Sequence, residues 1–258
     1  MRAASIRDMN HTHAVLMDID GTLLDSANAQ AQSWLRVLQD FGYEVKFGQV
    51  RARIGMGQDR LLRELCGISE ASPRARRMLT IRELLLRSHY LPKLAAMPRA
   101  HELISRLQED GADVLIATSA SRSEAMALLG HARLLTDFDH VVCKEDAPQT
   151  KPAADVVRTA LDRAGLRPEQ ALFIASSPYD LAAAHAAHVP SVALRSGGWP
   201  DSALLDASDV YDDISQLLAH FASSPLARGA SAQPAPKPFM WREPALWSDA
   251  PAKNPHAA

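Results

Sequence analysis

Short apolar runs that stop at polar clusters, with helical periodicity between them, set the strongest limit on what this 258-residue chain can fold into. Four such runs are clear: Ala14–Met17, Val114–Ala117, Ala171–Ile174 and Ser191–Leu194; Val141–Cys143 is a weaker fifth. Runs this short, without polar alternation, read as strands buried on both faces. Helical patterns at His101–Gln108, Glu124–Leu129, Ala153–Ala164 and Tyr179–Ala187 lie between most of them. Pro152 suits a first helical position, where a missing N–H costs nothing, and Gly165 suits a stop. Strands alternating with helices predict an α/β fold with a mainly parallel sheet, covered on both faces.

Residues 26–98 break the alternation. They hold three helical stretches, near Gln30–Phe41, Gln58–Leu65 and Arg74–His89, and no convincing strand. They read as an all-helical insertion after the first strand. Its second half is basic: Val50–Arg99 holds ten Arg and one Lys against three Glu and one Asp, a net of +7. The whole chain is −2, so the remainder carries −9. After about Phe221 the composition shifts again, with seven of the 16 prolines between Pro225 and Pro255. Such a stretch reads as a flexible tail. Phe239, Met240, Trp241 and Trp247 within it are candidates to dock on the domain or on a second subunit. The expected organisation is a core at 13–25 and 99–221, a helical cap at 26–98 and a Pro-rich tail at 222–258.

A hydrophobic fraction of 47% is enough for a buried core, and a pI near 6.5 gives no reason to expect nucleic acid as partner. Cys66 and Cys143 stand far apart and outside any Cys-x-x-Cys pair, which points to a reducing compartment. Met1–Thr12 contain no apolar leader, and no apolar run approaches a membrane span. The expectation is a cytoplasmic protein without membrane partners; its oligomeric state is open.

In an open parallel sheet, ligands bind beyond the carboxyl ends of the strands. The Ala14–Met17 run delivers Asp18 and Asp20 there, Val114–Ala117 delivers Thr118 and Ser119, and Ala171–Ile174 delivers Ser176, Ser177 and Asp180. Lys151, ahead of a helix, can join the same rim. These residue types suit phosphoryl transfer. One carboxylate can take the phosphoryl group covalently. A second, two positions on, can protonate the leaving oxygen and then activate water. Hydroxyl and ammonium groups can hold the phosphate oxygens, and Mg²⁺ can bridge carboxylate and phosphate.

Asp18-Ile19-Asp20-Gly21-Thr22-Leu23-Leu24-Asp25-Ser26 resembles the first motif of the haloacid dehalogenase superfamily. Thr118 or Ser119 resembles its second motif, Lys151-Pro152 its third and Ser176-Ser177-Pro178-Tyr179-Asp180 its fourth. The resemblance covers roughly residues 13–221 and is closest in pattern to the phosphoglycolate phosphatase and β-phosphoglucomutase type. It implies a Rossmann-like core with an inserted helical cap that closes over the site. It implies Asp18 as nucleophile, Asp20 as general acid/base, and Thr118 and Lys151 as phosphate ligands. Gly21, Thr22 and Ser119 then join the substrate site, and Asp18, Asp20 and Asp180 form the Mg²⁺ site. The substrate is a small, anionic phosphorylated metabolite, phosphoglycolate at the level of a family guess, and the basic cap fits it. Arg51, Arg53 and the Gly55-Met56-Gly57 turn are the candidates for the part of the cap that faces the site.

The fourth motif departs from the family pattern. Phosphatases of this kind carry Gly-Asp-x-x-x-Asp, with the first Asp on the metal; here that position is Ser176. The cation site lacks one negative charge and is expected to be weak. Three readings stay open: a working phosphatase, a weak or inactive phosphate-ligand-binding relative, and a metal-independent 2-haloacid dehalogenase, whose fourth motif carries a similar Ser-Ser. Asp20 argues against the last, since dehalogenases usually carry an aromatic residue there. Among other residues, the His11/His13 pair, His185, His188 and Cys143 read as surface or packing residues, Trp34, Phe41 and Tyr43 as cap core, and Trp199 as rim packing.

Overall fold

The computed structural model describes residues 12–228. Six parallel strands make one sheet: β1 (Ala14–Met17), β2 (Asp113–Ala117), β3 (His140–Val142), β4 (Ala171–Ala175), β5 (Ser191–Leu194) and β6 (Val210–Tyr211). Their spatial order is β3-β2-β1-β4-β5-β6. β1 is central: Met17 pairs with Ile116 on one side and Ile174 on the other. That register brings Asp18, the residues after Ala117, and Ser176 to one level at the carboxyl edge. The strand order reverses between β1 and β4, where such sheets open a crevice.

Strand side chains alternate between faces, so the sheet builds two cores. Ala14 and Leu16 belong to one, packed by α7 (Asp155–Ala164), α8 (Pro178–Ala186) and the insertion. Val15 and Met17 belong to the other, packed by α5 (Ala100–Glu109), α6 (Arg122–His131) and α9 (Ile214–Ala219). α5 shows why such segments become helices on a sheet: Ala100, Leu103, Ile104 and Leu107, at helical spacing, are its buried residues.

The insertion is helical throughout its elements: α1 (Ala27–Asp40), α2 (Phe47–Arg51), α3 (Gln58–Cys66) and α4 (Pro73–Leu85), the last continuing into a π turn at Leu86–Tyr90. Ser72 caps α4 through its hydroxyl, which accepts from the Ala75 N–H, and Pro73 follows at the first helical position. The insertion joins the core through two adjacent segments. Asp25 N–H donates to the Ala95 carbonyl at 3.0 Å and Met97 N–H to the Leu23 carbonyl at 2.8 Å.

Three local expectations need correcting. Pro152 does not start a helix: the Lys151–Pro152 bond is cis, Pro152 sits in a turn, and α7 begins at Asp155. β6 and α2 were not expected, because two or five residues are too short to show a period. Packed structure also continues past residue 221, through Phe221–Ser223 and α10 (Pro225–Arg228), with Leu226 only 6% exposed. Gly165 does end α7, in the left-handed conformation at φ 65°. His11 and Phe239, Met240, Trp241 and Trp247 lie outside the described residues. Among those described, no helix is long and apolar enough to cross a membrane.

Candidate active site

The floor of the site is built from strand ends. Asp18 follows β1 and is almost wholly buried. Lys151, with no exposed surface, places its Nζ 2.8 Å from Asp18 Oδ2 and 2.6 Å from Asp180 Oδ1. Asp180 is equally buried. Its Oδ2 accepts from the N–H groups of Ser176 (3.1 Å) and Ser177 (3.0 Å) and from the Ser177 hydroxyl (2.8 Å). The Ser177 hydroxyl in turn accepts from the Asp180 N–H, capping α8. Asp180 is thereby a fixed counter-charge that holds the ammonium against Asp18. Ser119 supports the same lysine: its hydroxyl accepts from the Lys151 N–H at 3.0 Å. Thr118 stands beside it, its hydroxyl accepting from the Ala120 N–H at 3.3 Å.

Electrostatics follow from this burial. Burial pushes the Asp18 carboxyl up to about 6, although Lys151 pulls it down, because Asp180 and Asp20 push it the same way as burial. Burial would lower the Lys151 ammonium, but Asp18 and Asp180 outweigh it and hold the group above its ordinary value. Lys151 therefore stays charged. Asp18 Oδ1 is buried with no hydrogen-bond partner, and so is the Thr22 hydroxyl. Gly21, between them in the loop, has φ 76°, and a Cβ there would come within 2.9 Å of the Gly197 Cα, so the loop needs glycine.

The roof comes from the insertion. Gln30 on α1 donates through Nε2 to Asp20 Oδ1 (2.9 Å) and to Glu124 Oε1 (2.7 Å). Ser26 also donates to Asp20 Oδ1. Arg82 on α4 pairs through Nη1 with Glu124 Oε2, and both side chains are buried. Its Nε reaches the Ser33 hydroxyl at 3.2 Å, and its guanidinium lies 5.3 Å from the Trp34 ring centre. Two cap residues thus grip two core carboxylates. Burial first, and Glu124 second, push the Asp20 carboxyl above its ordinary value, so it holds a proton more readily than a free carboxyl. Between floor and roof lies a cavity of about 40 Å³, bordered by Asp18, Asp20, Thr118 and Ser119 below and by Gln30, Trp34, Met56 and Arg82 above.

The cap candidates divide. Gly55 and Met56 border the cavity, as does Arg53, but Arg53 is engaged with Glu64 (2.9 Å) and the Gln49 carbonyl (2.9 Å). Arg51 is not brought to the cavity border. It is 4% exposed, bonded to Asn28 (3.1 Å) and the Gly197 carbonyl, and lies against Trp199. Gly55 and Gly57 have a steric reason: a Cβ would come within 2.7 Å of the Ser177 Oγ and 2.0 Å of the Thr150 Oγ1 respectively. Gln30, Arg82 and Glu124 escaped the sequence reading. Arg82 was counted only within the basic excess, and nothing local marks which face of a helix will dock. Both cysteines are buried and free, and burial pushes the Cys143 thiol up to about 11.

The donor set fits Mg²⁺ poorly. Asp18 Oδ1 is a free hard oxygen, as a cation site requires. Against it, Asp180 has given both oxygens to Lys151, Ser176 and Ser177. The Ser176 hydroxyl donates to the Asp20 carbonyl at 2.9 Å, so that hard oxygen is engaged too, and Ser176 brings no negative charge for a cation. Among the described residues, no group of three or more His, Cys, Asp or Glu side chains is arranged to hold a metal.

Comparison with known proteins gives the same outline. A phosphoglycolate phosphatase of Nitrosospira multiformis is 30% identical over 179 residues, covering 67% of this chain and 79% of that protein. A fructose-1-phosphate phosphatase of Escherichia coli is 24% identical, covering 70% and 95%. A solved hydrolase of Pseudomonas syringae superposes with a TM-score of 0.74 at 25% identity, over 81% of this chain and 98% of that one. The family model for haloacid dehalogenase-like hydrolases matches residues 15–194, from β1 to the end of β5 and through the whole floor, and the chain belongs to that family.

Proposed function

We propose that the chain is a phosphatase that hydrolyses a small phosphorylated metabolite through a phospho-Asp18 intermediate. The observation that carries this reading is the state of Asp18, a residue that borders the cavity: one oxygen is clamped by Lys151 and the other is buried and unpartnered. Asp18 Oδ1 attacks phosphorus, the ester P–O bond breaks, and the leaving oxygen takes a proton from Asp20. Water then attacks the phosphorus, Asp20 recovers the proton, and inorganic phosphate leaves with Asp18 restored. Lys151, Thr118 and Ser119 hold the phosphate oxygens as charge moves onto them. Asp20, pushed up by burial and by Glu124, suits an acid that must carry a proton before the bond breaks.

Haloacid dehalogenase-like phosphatases generally use Mg²⁺ to neutralise phosphate charge, but of the two Asp18 oxygens Oδ1 is the attacking atom and Oδ2 is held by Lys151. The remaining donors are committed elsewhere, so Lys151 is the counter-charge that this chain itself supplies. Phosphoglycolate is the first compound to test, because similar proteins are named for it. We place the protein in the cytoplasm, in keeping with its two free cysteines. A second reading, a phosphate-ligand binder with little turnover, is favoured by the saturation of Asp180 and by Ser176.

Purified protein should release phosphate from an aryl phosphate, and Asp18→Asn should lower kcat by about 10⁴-fold or more. Turnover that survives Asp18→Asn rules the mechanism out. Binding of phosphate without turnover by the wild type selects the second reading, and halide release from a 2-halo acid would select dehalogenation.

A further inference from the structure

We propose that Gln30 selects the organic half of the substrate, favouring phosphate esters with a hydroxyl on the carbon next to the ester carbon. The proposal rests on the phosphatase reading above and deepens it. Gln30 is 2% exposed and borders the cavity. Its Nε2 is pinned between two carboxylates, Asp20 at 2.9 Å and Glu124 at 2.7 Å. Turning the amide over would press its carbonyl oxygen against the Glu124 carboxylate that pairs with Arg82, so the orientation is decided. Oε1 then faces away from the carboxylates, and no donor among the described residues meets it.

A buried amide oxygen without a partner marks a place for a donor. The donor's nature follows from its neighbours. A carboxylate or a second phosphate would bring more oxygen acceptors to an acceptor flanked by Asp20 and Glu124. A hydroxyl supplies the missing proton and adds no charge. Its position follows from Asp20. That residue protonates the ester oxygen, and the Gln30 amide is bonded to it, which places Oε1 on the same side of the cavity as the leaving oxygen. A hydroxyl on the adjacent carbon is the donor nearest the ester oxygen, while the Trp34 ring offers a wall to the carbon skeleton. Phosphoglycolate, with a carboxylate at that carbon and no hydroxyl, satisfies this site less well than a hydroxylated ester.

The test compares 2-hydroxyethyl phosphate with ethyl phosphate, which differ by the one hydroxyl. The wild type should prefer the hydroxylated ester in kcat/KM by about tenfold. In Gln30→Met the ratio should fall to near one, whatever happens to the absolute rates. The same ratio is read without turnover, as dissociation constants measured by calorimetry on Asp18→Asn. Equal handling of the two esters by the wild type, or a preference that survives in Gln30→Met, overturns the proposal. If the wild type hydrolyses no aryl phosphate, the phosphatase reading fails separately, and the binding ratio still decides the role of Gln30.

Discussion

The floor and the roof of the cleft hold their charges in different ways. On the floor, Asp18, Lys151 and Asp180 satisfy one another within the core. Asp18 follows β1, Asp180 sits in the first turn of α8 and Lys151 in the turn ahead of α7, so the three side chains meet within the core and not through the cap. In the roof, Gln30 reaches across to Asp20 and Glu124, and Arg82, beside its bond to Ser33, reaches across to Glu124. Lifting the cap would take both Gln30 and Arg82 from Glu124 and leave Asp20 with Ser26. The floor is therefore preorganised, whereas the roof is made by docking, and a cap motion that admits substrate must break the Arg82–Glu124 pair.

The comparison is open to mutation. The largest effect belongs to the floor: Lys151→Met leaves Asp18 and Asp180 buried, close and unpaired. It should destabilise the protein by about 3–5 kcal/mol and remove turnover, read by denaturant unfolding and by phosphate release. A stable, active Lys151→Met would show that the floor is not held by this ion pair.

Next come the roof residues. Arg82→Met strands Glu124 and should cost about 3 kcal/mol, while Arg82→Met with Glu124→Leu should recover most of that. If the double variant is no more stable than the single one, the two residues do not act as a pair. Ser176→Asp should be milder, because it replaces a hydroxyl donor to the Asp20 carbonyl by a carboxylate that faces it. The variant should lose about 1–3 kcal/mol without metal, and its Tm should rise with added Mg²⁺. A wild type that shows the same rise would mean that its own donors already suffice. The smallest effect is expected at Arg53→Ala: its contact with Glu64 is partly solvated, so the change should stay below about 1 kcal/mol in unfolding experiments.

Legibility followed the range of the interactions. Strands Ala14–Met17 and Ser191–Leu194 were readable to the residue, since a buried strand writes an uninterrupted apolar run. Asp18, Lys151 and Asp180 could be named because each stands beside such an element or in a recognisable motif. Pro152 was misplaced because an X-Pro turn and a helix start look alike in one dimension. Arg51 and Arg53 were chosen for charge in a basic segment. The structure ties Arg53 to Glu64 and Arg51 to the Gly197 carbonyl, and charge composition says nothing about which partner an arginine meets.

Local and periodic information was enough for the parallel α/β core, the helical insertion and the acidic strand end at its centre, because apolar period and strand-end chemistry are carried by neighbouring residues. The pairing of Gln30 and Arg82 with Asp20 and Glu124, the saturation of Asp180 and the turn of the Ser176 hydroxyl onto the Asp20 carbonyl came only with the folded chain. Each of these joins residues from separate elements, and in Glu124–Gln30 the partners lie 94 positions apart, so their contact depends on how the elements dock.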